Sequence, residues 1–380
     1  MLKKLDKEKF NKYVEEGLIK CAYSDDKKLF IANYTDKCTY DGIWDEYTLN
    51  LRGAVYNTNY DIVSANISKF FNYEQLPLEK QKEIANAKNF QLTVKYDGCL
   101  LSIFPWDKKR GGDDKLYFCS RGSFDSFVVD AARKIIGDDL TAEKLLEQSV
   151  CLICELISPE TKILLDYNGI SEVRVITSFD LNTFEENAFE KTTEIVERLH
   201  LPYLKMVEVK NMTFDELRVW QKEHDWTMEG FVARFDDNYR VKFKSDDYLR
   251  VAAIRCELDS LHLYNMAIDV VAEYKDKWYQ GLYKHIEQLP DELQNDGKVI
   301  VNEMRETYDK WYDKILKLHN ENINLTDKEL GLKNDDRELN KCKGLVYCLR
   351  KNKNIAKDIL KICRQENLKN NLSHEEKIYE

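Results

Sequence analysis

The stretch MEGFVARFDDNYRVKFKS, residues 228–245, holds two short apolar runs separated by Asp236-Asp237-Asn238. Val, Phe and Tyr suit a pleated, half-buried surface, and an Asp/Asn cluster between two such runs is turn chemistry. The segment reads as a β-hairpin. A turn centred at Asp237 sets Lys244 beside Gly230 and diagonal to Glu229. Side chains alternate along a strand, so Lys242 and Lys244 project from one face. Two ammonium groups so close repel each other, which fits either a solvated edge or a site for an anion.

Upstream, QLTVKYDG (91–98), KLYFCSRGS (115–123), SVCLICELIS (149–158) and EVRVITSF (172–179) have the same β-branched and aromatic character. Helical stretches intervene near 10–19 and 188–199. The last third changes period: Met304, Tyr308, Trp311, Tyr312, Ile315 and Leu316 recur at helical spacing, and a second helical run covers 345–363. All five prolines precede residue 291. These patterns predict an α+β domain over 1–250, with antiparallel sheets and flanking helices, followed by an all-helical domain over 251–380.

A chain of 380 residues with 43% hydrophobic content can bury a sizeable core, and 33% charged residues of both signs is globular usage. No apolar run is long enough to span a membrane, and the start MLKKLDKEKF lacks a secretory pattern. Ten cysteines without such a signal read as reduced thiols of an intracellular, cytoplasmic protein. A net charge of −10 argues against general coating of nucleic acid, but counterion release depends on local surface. One local excess exists. Between Lys341 and Asn370, nine Lys/Arg (Lys341, Lys343, Arg350, Lys351, Lys353, Lys357, Lys361, Arg364, Lys369) face only Asp358 and Glu366. Either a solvated helix face or an RNA-facing surface produces that pattern.

The chemistry centres on Lys95-Tyr96-Asp97-Gly98, at the end of an apolar run. Alternation puts Lys95 and Asp97 on one face, and Gly98 permits a tight turn or a close backbone approach. Desolvation and neighbouring cations lower the pKa of a lysine, and a neutral amine is a nucleophile. Glu155 sits in a strand that reads as buried, where an unpaired carboxylate is costly. Carboxylates and several lysines converging from strands describe a site for a phosphate and a hard cation such as Mg²⁺. The chain lacks the Gly-rich P-loop pattern, so any ATP use is of another type.

KYDG, SRGS, ELISPETKIL, ITSFDL, EGFVARF and VKFKSDDY together resemble, in order and spacing, the covalent nucleotidyltransferases. That superfamily of nucleic-acid ligases and capping enzymes has an ATP-grasp-like ligase fold. Within it the chain is most similar to the ATP-dependent RNA ligases of the T-even bacteriophage tRNA-repair type, over roughly residues 30–250. The resemblance implies joining of 5′-phosphate and 3′-hydroxyl RNA ends, nicked tRNA among them, through a lysyl-AMP and an adenylated RNA end. It implies ATP as substrate and Mg²⁺ or Mn²⁺ as cofactor, and a monomer working with a separate end-healing kinase/phosphatase. If the chain is viral, its place is the host cytoplasm.

Carried over by position, Lys95 becomes adenylated, Asp97 lies near the ribose, and Gly98 completes the motif. Glu155 contacts the ribose or a hydrated metal. Phe179 stacks on adenine, Glu229 helps place the metal through water, and Lys242 and Lys244 hold the α-phosphate. Arg52 and Lys69 resemble elements that grip the ATP phosphates. Arg121 departs from the family pattern, where lysine is expected; the charge is kept and the hydrogen-bond geometry changes.

A DNA ligase or capping guanylyltransferase of the same superfamily, and an inactive RNA-binding relative, are the alternatives. Cys151 and Cys154 stand three apart on an expected strand and so face opposite ways, against joint metal binding. The six histidines have no metal spacing.

Overall fold

A computed structural model of the chain describes residues 2–287, 289, 291–334 and 336–379, without the side chains of 254, 256, 257, 291, 292, 295, 296 and 369–379. Two compact units are found, Met1–Leu249 with Glu376–Glu380, and Arg250–Glu375.

The first unit holds the strands, numbered in chain order. They are β1 (Ile19–Tyr23), β2 (Leu29–Tyr34), β3 (Arg52–Asn57), β4 (Ile62–Ser64), β5 (Phe71–Asn72), β6 (Gln91–Lys95), β7 (Cys99–Trp106) and β8 (Lys115–Ser120), then β9 (Val150–Ile157), β10 (Glu172–Asp180), β11 (Leu204–Met206), β12 (Val209–Lys210), β13 (Gly230–Arg234) and β14 (Arg240–Lys244). Three sheets result, with orders β1-β2-β3-β4, β11-β10-β9-β7-β8 and β12-β6-β13-β14-β5. Pairing is antiparallel except between β10 and β11 and between β5 and β14. The sequence patterns predict an α+β fold of antiparallel sheets, and that is the architecture.

The middle sheet is buried on both faces, which is why β9 reads as a nearly unbroken apolar run. Cys151 and Ile153 pack with the first sheet, while Val150, Leu152, Cys154 and Leu156 pack under helices Phe127–Ile136, Ala142–Gln148 and Phe189–Leu199. Cys151 and Cys154 therefore do face opposite ways. The described cysteines are all free, and no metal-holding group of His, Cys, Asp and Glu exists among the described residues. The third sheet has its own core, with Phe231, Phe243 and Leu92 against helices Leu78–Ala85 and Phe214–Glu223.

From residue 250 the described elements are helical, chiefly Ser260–Tyr274, Trp278–Ile286, Asp291–Glu321, Arg337–Arg350 and Ala356–Tyr379. The expected single helix over 345–363 is two. Asn352 takes a left-handed φ of 52°, tolerable for Asn, and the Asn354 side chain accepts the Ala356 N–H at 2.9 Å, capping the second helix. The buried faces carry Leu339, Cys342 and Val346, then Ile359, Leu360 and Cys363. Leu345, Leu349 and Ile362 are half-buried. No helix among the described residues is long and apolar enough to cross a membrane.

Candidate active site

The hairpin of β13 and β14 has the register Gly230↔Lys244 and Val232↔Lys242, as the turn at Asp236–Asn238 predicts. β6 adds on the other side of β13 with Gly230↔Lys95, so one glycine lies between two lysine-bearing strands. Gly230 has φ +150°, and an added Cβ would lie 2.0 Å from the Phe243 carbonyl oxygen. Only glycine fits there. The preceding Glu229 is 2% exposed, and its two oxygens accept from Lys95 Nζ and Lys244 Nζ, each at 2.7 Å. A buried carboxylate is tolerable only when paired, and Glu229 is paired twice.

Glu155, on β9, faces the same region, and its Oε1 accepts the Gly98 N–H at 3.2 Å. A Cβ on Gly98 would come within 2.4 Å of the Leu156 carbonyl oxygen, so the glycine serves the close backbone approach. Burial, reinforced by Glu229, pushes the Glu155 carboxyl up to about 7 against the pull of Lys95, Arg52 and that hydrogen bond. Burial also works against the charge on Lys95, but the carboxylates of Glu229 and Glu155 outweigh it and its pKa is raised. The expectation of an amine already poised to lose its proton is corrected on that point. Lys95 rests as an ammonium, because its nearest neighbours are anions.

Lys242 is the opposite case. Burial, and then the charges of Arg52, Lys95, Lys69 and Lys244, push it down to about 6. Burial lowers Arg52 as well, followed by Arg121, and Arg52 Nη1 has no hydrogen-bond partner among the described residues. Lys69 is held among Tyr34, Trp44 and Phe71, its Nζ 5.2–5.3 Å from each ring centre. Arg121 lies over Tyr34 at 4.7 Å. Arg52, Lys95, Glu155 and Lys242 line a cavity of about 250 Å³, whose apolar wall includes Ile176 of β10 and Val232 of β13. The arrangement carries more positive than negative charge and is shaped for an anionic ligand with an apolar part.

Two expected residues point elsewhere. Asp97, 5% exposed, accepts the Leu164 and Leu165 N–H groups at 2.8 Å and the Tyr248 hydroxyl at 2.9 Å. It clamps a loop and does not line the cavity, because β6 ends at Lys95 and alternation ends with it. Phe179, 4% exposed, packs in the core between the first and middle sheets. Ile176 of β10, three residues before Phe179 and beside the register shift between Val175 and Thr177, lines the cavity instead. Tyr248 stands inside the quoted VKFKSDDY without an expected role; its hydroxyl, pushed up by burial and by Glu229 and Asp97, anchors Asp97. Gln91, Arg234 and Arg240 also line the cavity, and only the sheet order brings them there.

No curated protein matches the chain. Solved structures of Naegleria gruberi RNA ligase are similar to it. A lysine-to-alanine variant with ATP and Mn is 18% identical with a TM-score of 0.38, over 48% of this chain and 57% of that one. The ligase with pyrophosphate is 17% identical with a TM-score of 0.38, over 48% and 56%. An aspartate-to-alanine variant without ligand is 17% identical with a TM-score of 0.40, over 57% and 66%. The chain thus spans less than two thirds of the length of the first two. The RNA ligase family profile matches residues 50–248, more than half of the chain and every strand that lines the cavity. This chain belongs to the RNA ligase family.

Proposed function

We propose that the chain is an ATP-dependent RNA ligase that joins 5′-phosphate and 3′-hydroxyl RNA ends through a lysyl-AMP on Lys95. The observation that carries this reading is the convergence of Arg52, Lys95 and Lys242 on one cavity, with Lys69 and Lys244 beside it. Burial, and then the charges of Arg52, Lys95, Lys69 and Lys244, depress Lys242 to about 6, so the site is short of negative charge. A triphosphate supplies that charge. It restores the proton of Lys242 and makes it a charged phosphate ligand.

In the first step the Lys95 amine attacks the α-phosphorus; an N–P bond forms, the P–O bond to pyrophosphate breaks, and pyrophosphate leaves. The proton on Lys95 has an acceptor at hand in Glu229 Oε2, 2.7 Å away. Lys242 and Lys244 carry the charge at the α-phosphate, while Arg52, Lys69 and Arg121 hold the leaving end. The base lies between Ile176 and Val232. AMP then passes to the RNA 5′-phosphate, and the 3′-hydroxyl of a second end displaces it. Each step is phosphoryl transfer governed by positioning and charge.

Glu155 fits a hydrated Mg²⁺ or Mn²⁺, since its carboxyl is held near 7 by burial and a neighbouring carboxylate, a state a divalent cation relieves. Such an ion neutralises phosphate charge. Glu229 fits less well, because both its oxygens already serve lysines. In this reading residues 1–250 are the adenylyltransferase domain and 251–380 a helical domain that meets RNA, nicked tRNA included. A separate protein heals the ends.

Incubation with α-labelled ATP, then denaturing electrophoresis, tests the proposal. Wild type is expected to carry covalent AMP and Lys95→Ala none. Full labelling of Lys95→Ala removes Lys95 from its role. Label from GTP instead points to a capping guanylyltransferase, and no label to an RNA-binding relative.

A further inference from the structure

The cavity has a far end that phosphate chemistry does not use. β6, β13 and β14 cross it in three rows: Lys95, Gly230, Lys244; then Thr93, Val232, Lys242; then Gln91, Arg234, Arg240. The third row is four residues from Lys95, about 13 Å along the strand. A mononucleotide with its phosphate at Lys95, lying along β6, brings the edge of its base to that row.

The two arginines of the row are held by neighbouring side chains and carbonyls. Arg240 is 6% exposed and gives both terminal nitrogens to the Glu186 carboxylate, Nη1 at 2.9 Å. Arg234 stands 3.5 Å from the same carboxylate through Nη1. Its Nε donates to Asn238 Oδ1 at 3.0 Å and its Nη2 to the Asn187 carbonyl at 3.0 Å. These contacts fix the two arginines as a wall of the cavity. Thr93 is occupied too, its hydroxyl 3.4 Å from the Val232 carbonyl oxygen. Gln91 differs. It lines the cavity, half-buried, and its amide makes no hydrogen bond to any described residue.

We propose that Gln91 is the residue that reads the purine edge of the nucleotide, accepting the adenine 6-amino group on Oε1 and donating Nε2–H to the adjacent ring nitrogen. An amide offers one acceptor and one donor side by side, which matches that edge of adenine. Its backing by mutually paired Arg234, Glu186 and Arg240 holds the row in place. The inference rests on the reading of the cavity as an ATP site.

The test is covalent labelling of full-length protein with α-labelled ATP and with α-labelled purine ribonucleoside triphosphate, which lacks the 6-amino group. Wild type is expected to use ATP about tenfold or more efficiently than the analogue. Gln91→Leu should lose most of that preference, with the change in KM for ATP and a rate at saturation close to wild type. Gln91→Glu, which keeps the acceptor but has no donor, should keep the preference while using both triphosphates less efficiently, since the ring-nitrogen contact is common to them, and serves as well if the Leu variant does not fold. If wild type takes no label from ATP, the ligase reading fails and this inference with it. If wild type is labelled and Gln91→Leu keeps the full wild-type preference, or Gln91→Glu uses both triphosphates as efficiently as wild type, the inference alone is overturned.

Discussion

Both units of the molecule carry clusters of positive charge, and they differ in what surrounds them. In the helical unit the basic stretch is largely answered by its neighbours. Lys341 pairs with Glu338 at 3.3 Å, Arg350 with Asp327 at 2.9 Å and Lys361 with Asp358 at 3.7 Å. Lys343 donates to the Lys333 carbonyl at 2.8 Å, and Arg364 to Asn265 at 2.7 Å. Lys351, Lys353 and Lys357 are exposed at the break between two helices; the side chain of Lys369 lies outside the described residues. In the strand-rich unit Arg52, Lys69, Lys95, Lys242 and Lys244 converge on two carboxylates, and one lysine is driven down to about 6. The number of lysines in a stretch therefore says little. Burial without an answering charge marks a site, whereas exposure beside acids marks a surface, where ion pairs contribute little.

The comparison breaks most severely at Glu229. Glu229→Gln leaves Lys95 and Lys244 without their shared counter-charge in a site where the carboxylate is 3% exposed. Removing one partner of a buried ion pair costs about 3–5 kcal/mol. Denaturant unfolding should show a loss of that order, and AMP labelling should disappear with it. A variant as stable as wild type would mean that the lysines need no partner and that the buried cluster behaves like the surface one.

Lys242→Met should move stability the other way. The folded pKa is lowered from 10.5 to about 6, so between those values the unfolded chain binds more protons, and the burden of this residue grows as pH falls through the window. Methionine removes it. The variant should gain about 1–3 kcal/mol near neutral pH, more at pH 6 than at pH 9, and lose labelling. A loss of stability, or a gain that increases with pH, would contradict the placement of an unanswered charge there.

The smallest effect is expected in the helical unit. Charge reversal at Lys351, Lys353 and Lys357 should change folding stability by less than about 0.5 kcal/mol and leave AMP labelling intact. If these residues meet RNA phosphates, binding weakens and its salt slope becomes shallower by about one unit for each phosphate no longer neutralised. An unchanged affinity and slope would assign them to a solvated face.

How much of this could be read from the chain depends on how far each pattern reaches. The hairpin register, the shared face of Lys242 and Lys244, the opposed Cys151 and Cys154 and the strand-end Lys95 all follow from alternation within one or two neighbouring strands. Sequence by itself determines these, because period-two geometry and turn chemistry act over a few residues. Alternation fails once the strand does. Asp97 lies two residues past the end of β6 and turns to clamp Leu164, Leu165 and Tyr248, and Phe179, three residues beyond the cavity-lining Ile176, packs in the core. The first sheet and β7 are not among the strands that the sequence pattern marks, since residues such as Leu29–Tyr34 are buried on both sides and carry no alternation. Only the tertiary structure decides that β6, β13 and β14 are neighbours, that Gln91 and the Arg234–Glu186–Arg240 cluster share a row, and that Arg52 and Lys69 arrive to depress Lys242. The physical reason is that pairing between distant strands, and the desolvation it brings, is set by how whole sheets bury their faces and by no local pattern.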